Sequence, residues 1–306
     1  MRVCIVGCGA VGSLFAANLA RLDDVEVWAY DLARDHVAAI KAKGLRLSGA
    51  GEVVGSVRAT ANAQELPFCD FGIVATKAMH TSSAIAATAH AFADGCVASV
   101  QNGIGNEEAI AEHVGRVIRG TTFPAGRLLE PGHVQWDVKG DTVFGPFEPQ
   151  PAPRTEIERL ADACTRGGMP TEAVADARGP QWRKVIFNAA TNPLGALTRL
   201  THGRVCERPD LRALVTGLVD EGKAVADAQD IELDSDPEDL IDHAARKDVA
   251  YDHKASMLQD VEARRQTEID YLNGGIVRFG REHDVPTPLN QAIWALVKGL
   301  EASWTT

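Results

Sequence analysis

Two groups of residues in this 306-residue chain have types and spacings that chemistry can use. The first is Gly7-Cys8-Gly9-Ala10-Val11-Gly12, set between the apolar run RVCIV and the helical pattern SLFAANLAR. In a strand–loop–helix of this kind the first glycine permits the tight turn, the second lets backbone approach a pyrophosphate, and the third lets helix and strand pack closely. The helix that follows offers free N–H groups and the positive end of its dipole to phosphates. A second strand pattern, VEVWAY, ends at Asp31, about 20 residues on, where a carboxylate accepts hydrogen bonds from ribose hydroxyls. A lone GxGxxG string is also compatible with a purely structural turn. In this setting the residues point to a dinucleotide.

The second group is a polar stripe. Lys184, Asn188 and Asn192 recur at i, i+4 and i+8 among apolar neighbours, so a helix would place all three on one face. Asparagine is a poor helix former, and Pro193 should disturb the helix beside Asn192, so local propensity is given up twice. Two readings stand. The lysine and amides converge on a polar ligand, or they form a buried network between helices with Lys184 snorkelling to water. Further on, Ser256-Met257-Leu258-Gln259 opens a long helical pattern reaching His283, with Ser256 as N-cap of a capping box. Its charges read by default as a solvated face. Gly274-Gly275 within it implies close approach of another backbone.

These groups need elements to hold them. Strands are expected at Arg2–Val6, Val25–Tyr30, Phe71–Thr76, Cys96–Val100 and Arg116–Thr121, with helices Ser13–Arg21, Asp35–Lys43 and Thr81–Ala93 between them. That alternation implies a parallel sheet covered by helices on both faces. HVQWDVKG followed by TVFG, around 132–146, suggests an antiparallel hairpin at the sheet edge. A proline-rich loop at Phe147–Thr155, helix Glu156–Thr165 and a strand near Thr171–Val174 complete this domain. Beyond Ala177 the pattern is helical: Gln181–Leu197, Leu211–Ala228, Pro237–Ala245, Ser256–His283 and Asn290–Ser303. The expected domains are therefore 1–177 and 178–306.

Composition excludes several classes. The chain is 45% hydrophobic and 24% charged, ordinary for a globular protein. No apolar run is long enough to span a membrane. The glycine-broken N-terminus MRVCIVGCGAVG does not read as a signal peptide. With 31 basic and 42 acidic residues the net charge is −11, which repels nucleic acid and anionic lipid and leaves small molecules as ligands. Cys4, Cys8, Cys69, Cys96, Cys164 and Cys206 are scattered without a CxxC pair, so they read as reduced core residues of a cytoplasmic protein, with no metal site.

The sequence resembles the ketopantoate reductase (2-dehydropantoate 2-reductase) family in GCGAVG at 7–12, ATKA at 75–78, QNGIGNE at 101–107, WRKVIFNAATNPLGAL at 182–197 and SMLQDVEARRQTEIDYLNGG at 256–275. The last two motifs are far more specific than the glycine loop. The resemblance implies an α/β Rossmann-type parallel-sheet domain followed by an all-α domain like the C-terminal domain of 6-phosphogluconate dehydrogenase, with the active site in the cleft between them. It implies reduction of a 2-oxo acid, ketopantoate by default, in pantothenate biosynthesis, with a homodimer left open. Lys184 matches the lysine that protonates the ketone oxygen, and Glu268 the glutamate that holds the substrate's hydroxyl end and orients the lysine. Asn102, Asn188, Asn192 and Ser256 match polar groups around nicotinamide and substrate, and Lys77 a lysine near the cofactor. An ammonium suits this chemistry, because hydride delivery builds negative charge on the ketone oxygen.

Two residues depart from the family pattern. His202-Gly203 stands where the family commonly has Asn-Gly, so His202 implies either a changed substrate contact or a surface loop. Asp31 stands where NADPH-binding members usually carry a basic or neutral residue. A 2′-phosphate about 4 Å from that carboxylate would be repelled by roughly 4 kcal/mol per unit charge pair at an effective dielectric of 20. Arg34 could offset this by pairing with the phosphate. NAD is therefore expected over NADP, although NADP is the family's usual cofactor. The alternatives are an NAD-dependent dehydrogenase of another 2-hydroxy acid, or a non-catalytic dinucleotide-binding regulator, which would have no need to keep Lys184 and Glu268 in their motifs.

Overall fold

The computed structural model describes residues 1–304, which divide into two compact units. The first comprises Met1–Gln101 and Asn106–Ala177; the second comprises Asn102–Gly105 and Arg178 onward. The first unit contains β1 (Arg2–Val6), α1 (Ala10–Leu19), β2 (Glu26–Tyr30), α2 (Arg34–Lys43), β3 (Leu45–Gly49), β4 (Val53–Gly55), β5 (Arg58–Thr60), β6 (Phe71–Val74), α3 (Thr81–Thr88), β7 (Cys96–Ser99), α4 (Asn106–Ala111), β8 (Val117–Thr122), β9 (Ala125–Glu130), β10 (His133–Val138), β11 (Thr142–Pro146), α5 (Arg154–Gly167) and β12 (Thr171–Ala173). The second contains α6 (Arg178–Thr198), α7 (His202–Cys206), α8 (Pro209–Asp227), α9 (Pro237–Ala244), α10 (Ser256–Glu262), α11 (Asn273–Glu282) and α12 (Pro288–Ala302). No helix among the described residues is long and apolar enough to cross a membrane.

The main sheet runs β12-β11-β8-β7-β6-β1-β2-β5 and is parallel except where β11 meets β8. Period-two alternation builds both its faces: Val3 and Ile5 pack with Leu14 and Phe15, while Cys4 and Val6 pack with Val74 and Phe92 on the other side. From β1 the chain runs outward to β2 and β5, then returns to β6 on the opposite flank. This reversal opens a crevice at the carboxyl ends of β1 and β6, the usual ligand position in such sheets. The glycine loop follows β1, and Ala75–Ala78 follows β6.

The expected hairpin at 132–146 does not form. β10 belongs to a second sheet, β4-β3-β10-β9, whereas β11 extends the main one. Gly132, at φ +79°, turns β9 antiparallel onto β10, so β10 already has its partners in β9 and β3. β11 instead pairs with β8, where the Thr122 and Thr142 hydroxyls share a buried 2.7 Å hydrogen bond. The short strands β3, β4, β5 and β9 carried too little alternation to be read from sequence.

The long helix expected over 256–283 is two helices, α10 and α11, separated by a segment with Arg264 at φ +49°. Side-chain bonds occupy that segment: Glu301 accepts from the Thr267 amide and hydroxyl, and Asp270 binds Trp294 and Lys298. Ser256 is not the N-cap. Ala255 holds that position, and Gln259 donates to the Lys254 carbonyl instead of closing a capping box. Gly274 and Gly275 are approached chiefly by the Trp294 ring and the Ile104 side chain; the Ile269 carbonyl also lies close to Gly274.

Pro193 does not break α6. Proline has no N–H for the carbonyl four residues earlier, which belongs to buried Ala189. Asn273 Nδ2 donates to that carbonyl at 3.0 Å. An unpartnered buried carbonyl would cost about 1–3 kcal/mol, so this side chain offsets much of what the proline removes.

Candidate active site

The glycine loop is built as its spacing requires. Gly7 sits at φ +89°, and a Cβ there would press on Thr76. A Cβ on Gly12 would lie 2.0 Å from the Gly7 carbonyl oxygen, whereas one on Gly9 would meet nothing within 4 Å. The loop thus packs tightly at its two ends and leaves open space at the centre, where a pyrophosphate would approach. Cys8, Ala10 and Val11 complete it, and burial pushes the Cys8 thiol up to about 12, so it is a packing group. Lys77 follows β6, and Gln101 at the end of β7 donates to Thr76 and Thr81. Three loops therefore gather at the carboxyl edge of β1, β6 and β7.

Asp31 is held in place at the same edge. Its Oδ2 accepts from the Cys8 amide at 2.8 Å and its Oδ1 from the Ala33 amide at 2.8 Å. Each oxygen keeps a second lone pair for a ribose hydroxyl. The Arg34 side chain is exposed and makes no hydrogen bond or ion pair among the described residues. These residues fit a nicotinamide dinucleotide, with the glycine loop for its phosphates and Asp31 for its adenosine ribose.

In the helical unit, α6 carries Lys184, Asn188 and Asn192 on one face; both asparagines are buried. Burial pulls the Lys184 ammonium down to about 8, and the nearby Glu268 carboxylate works against that fall. Glu268, in the segment between α10 and α11, is only 5% exposed. Its Oε2 accepts from Asn102 Nδ2 at 3.4 Å. Asn102 lies in the segment counted with this unit, where Ile104 N–H donates to the Tyr271 carbonyl and Gly103 takes φ +86° against the Tyr271 backbone. The structure thus brings together Lys184, Glu268 and Asn102. Ser256 is exposed at the start of α10, which packs along α6.

His202 has other partners. Its Nε2–H donates to the Ile241 carbonyl at 3.1 Å and its ring packs 5.5 Å from that of Phe187, so none of its bonds goes to Lys184 or Glu268. It is a buried helix-tying residue and not a surface-loop histidine. Sequence reasoning also passed over Asn273. The one signal available was Pro193, which guarantees a carbonyl in need of a donor.

The profile of ketopantoate reductase PanE/ApbA matches residues 3–149, and that of its C-terminal domain matches residues 176–301. The chain belongs to the ketopantoate reductase family. It is 35% identical to a 2-dehydropantoate 2-reductase of Pyrococcus abyssi (strain GE5 / Orsay), over 99% of this chain and 98% of that one. Among solved structures it resembles a PanE/ApbA family ketopantoate reductase from Ralstonia eutropha JMP134, with a TM-score of 0.90, 31% identity and full coverage of both chains. It also resembles a D-mandelate dehydrogenase solved with NADH and anilino(oxo)acetate, with a TM-score of 0.90, 27% identity and full coverage of both. The chain is an oxidoreductase of this family, and its cofactor is a nicotinamide dinucleotide.

Proposed function

We propose that this enzyme reduces ketopantoate to pantoate in the cytoplasm, using NADH, with Lys184 as proton donor. The observation that carries the reading is the half-buried Lys184 on α6 facing the buried Glu268 carboxylate, both on the specific family motifs, with burial pulling the ammonium down to about 8. When bound, the reduced nicotinamide supplies the hydride that attacks the C2 ketone. Charge then develops on the ketone oxygen, and Lys184 Nζ stabilises it and gives up a proton, later replaced from solvent. Glu268 keeps the ammonium protonated near neutrality and accepts from the substrate's hydroxyl. Asn188, Asn192 and Ser256 bind the substrate carboxylate as neutral donors, and Asn102 steadies Glu268 beside the nicotinamide. The cytoplasmic reading accords with free cysteines, five of them buried.

This role fixes a pH dependence. Reduction needs protonated Lys184, so kcat falls as pH rises through about 8, while oxidation of the hydroxy acid needs the neutral amine and rises through the same range. Glu268 raises the Lys184 value, so Glu268→Gln moves both limbs to lower pH. Initial rates in both directions from pH 6 to 10 check this. Limbs of unchanged position in Glu268→Gln would remove Glu268 from the proposed pair.

The cofactor preference rests on Asp31, locked by two backbone amides, while Arg34 is unengaged. We expect kcat/KM for NADH to exceed that for NADPH by about ten-fold or more. A ratio below one would reject the Asp31 argument and assign Arg34 to the phosphate.

The D-mandelate dehydrogenase likeness, with His202 committed to Phe187 and Ile241 where the family commonly has asparagine, favours a second reading: an aromatic 2-oxo acid. A panel of 2-oxo acids, ketopantoate and phenylglyoxylate included, run with each cofactor, separates the two. Cofactor binding without turnover across the panel would support a regulatory protein instead.

A further inference from the structure

Pro193 makes one demand on the helical unit that Asn273 meets, and the way it does so reaches the proton donor. The Asn273 side chain is fully buried and gives both its amide hydrogens to carbonyl-type oxygens: Ala189 O at 3.0 Å and Asn290 Oδ1 at 2.9 Å. Two acceptors on one nitrogen fix the amide's orientation, since the flipped form would set oxygen against oxygen. Asn290 is fixed in turn. Its Nδ2 donates to Glu221 Oε2 at 2.8 Å and to the Leu218 carbonyl at 3.3 Å, which leaves its Oδ1 for Asn273. Glu221 accepts from the Leu289 and Asn290 amides at 2.8 and 2.9 Å, a carboxylate at the N-terminus of α12. The relay therefore starts on a charge anchored between α8 and α12 and ends on the α6 carbonyl that proline leaves without a donor.

We propose that Asn273 is a positioning residue for the reaction: it holds the Lys184 face of α6 in register with the Glu268 segment by substituting for the N–H missing at Pro193. Asn273 lies five residues after Glu268, and two turns bind it to that residue, because Tyr271 and Leu272 donate to the Glu268 carbonyl and Gly274 to the Ile269 carbonyl. Ala189 lies five residues beyond Lys184 and next to Asn188 on α6. One side chain thus ties the helix of the ammonium to the segment of the carboxylate. With an ordinary residue at 193 the helix would satisfy Ala189 by itself and no such tie would be needed. The proline makes the register depend on Asn273. The inference rests on the reading of Lys184 as proton donor.

The test is a cycle of four proteins: wild type, Asn273→Ala, Pro193→Ala and the double variant. Steady-state rates are measured with the substrate found in the panel. The titration of Lys184 is measured without substrate, from the pH dependence of amine labelling at that residue read by peptide mass spectrometry. We expect Asn273→Ala to lower kcat by about ten-fold or more with KM changed far less, as misplacement of a reacting group does. Water admitted around the ammonium should also move its titration up toward the ordinary lysine value. Pro193→Ala supplies a backbone N–H to Ala189, so in that background Asn273→Ala should cost no more than about two-fold, with the titration back near its original position. NADH affinity should be constant throughout. If Asn273→Ala does not fold alone, folding and near-normal kcat in the double variant support the proposal. An equal cost in both backgrounds, an unmoved titration, or failure to fold in both backgrounds overturns it. Because labelling needs no substrate, an inactive panel with a rescued titration would reject the proposed function and keep the relay.

Discussion

Replacing Lys184 by alanine lowers kcat for ketone reduction by about 10² or more, equivalent to roughly 2.7 kcal/mol of transition-state stabilisation. Both of its contributions disappear together: the positive field at the developing alkoxide and the proton that quenches it. The fold should survive, because an ammonium whose burial pulls its titration down to about 8 is held in place at a cost to stability. Dinucleotide affinity should be unchanged, since the glycine loop belongs to the other compact unit. Single-turnover rates, with NADH binding followed by fluorescence, separate the two effects. Turnover within a few-fold of wild type would take the proton donor's role from Lys184.

The second large effect is expected at the glycine loop, where two alanine substitutions should behave differently. Gly12→Ala forces a methyl group to 2.0 Å from the Gly7 carbonyl oxygen, so α1 and the loop must separate. We expect a loss of about 3 kcal/mol in stability, a Tm lower by roughly 5–10 °C, and little remaining cofactor binding. At Gly9 the φ of −69° suits any residue, and the added methyl group meets nothing within 4 Å. Gly9→Ala should therefore leave the apo Tm unchanged while weakening NADH binding by about ten-fold or more, because the methyl group fills the space the pyrophosphate needs. Calorimetry and NADH titration on both variants check this. Equal affinity in Gly9→Ala and wild type would show that the cofactor does not lie over that glycine.

Much of the fold was legible because its signals are local. Period-two runs marked β1, β2, β6, β7 and β8, and the glycine loop was identifiable from the strand before it and the helix after it. The stripe of Lys184, Asn188 and Asn192 followed from helical spacing alone. The second sheet was not legible, because β4 and β9 pair with their neighbours β3 and β10, but the pairing that joins them into one sheet, β3 with β10, connects segments far apart in the chain. For the same reason 132–146 read as a hairpin: adjacency in sequence stood in for a pairing that β8 and β9 decide.

The active-site chemistry divides along the same line. Sequence alone determined which groups were available: a loop suited to phosphates, a carboxylate at the end of β2, and a lysine beside two amides on a helix. Tertiary structure decided what those groups are. From its own pattern Glu268 belonged to a solvated helix face, but the break between α10 and α11 buries it, and its partner Asn102 comes from a loop far away in the chain. The titration of Lys184 depends on burial and on Glu268, neither of which is a property of α6. Pro193 announced a missing hydrogen bond, but only the packed structure shows which donor replaces it, because a backbone carbonyl is satisfied by whatever side chain reaches it in space.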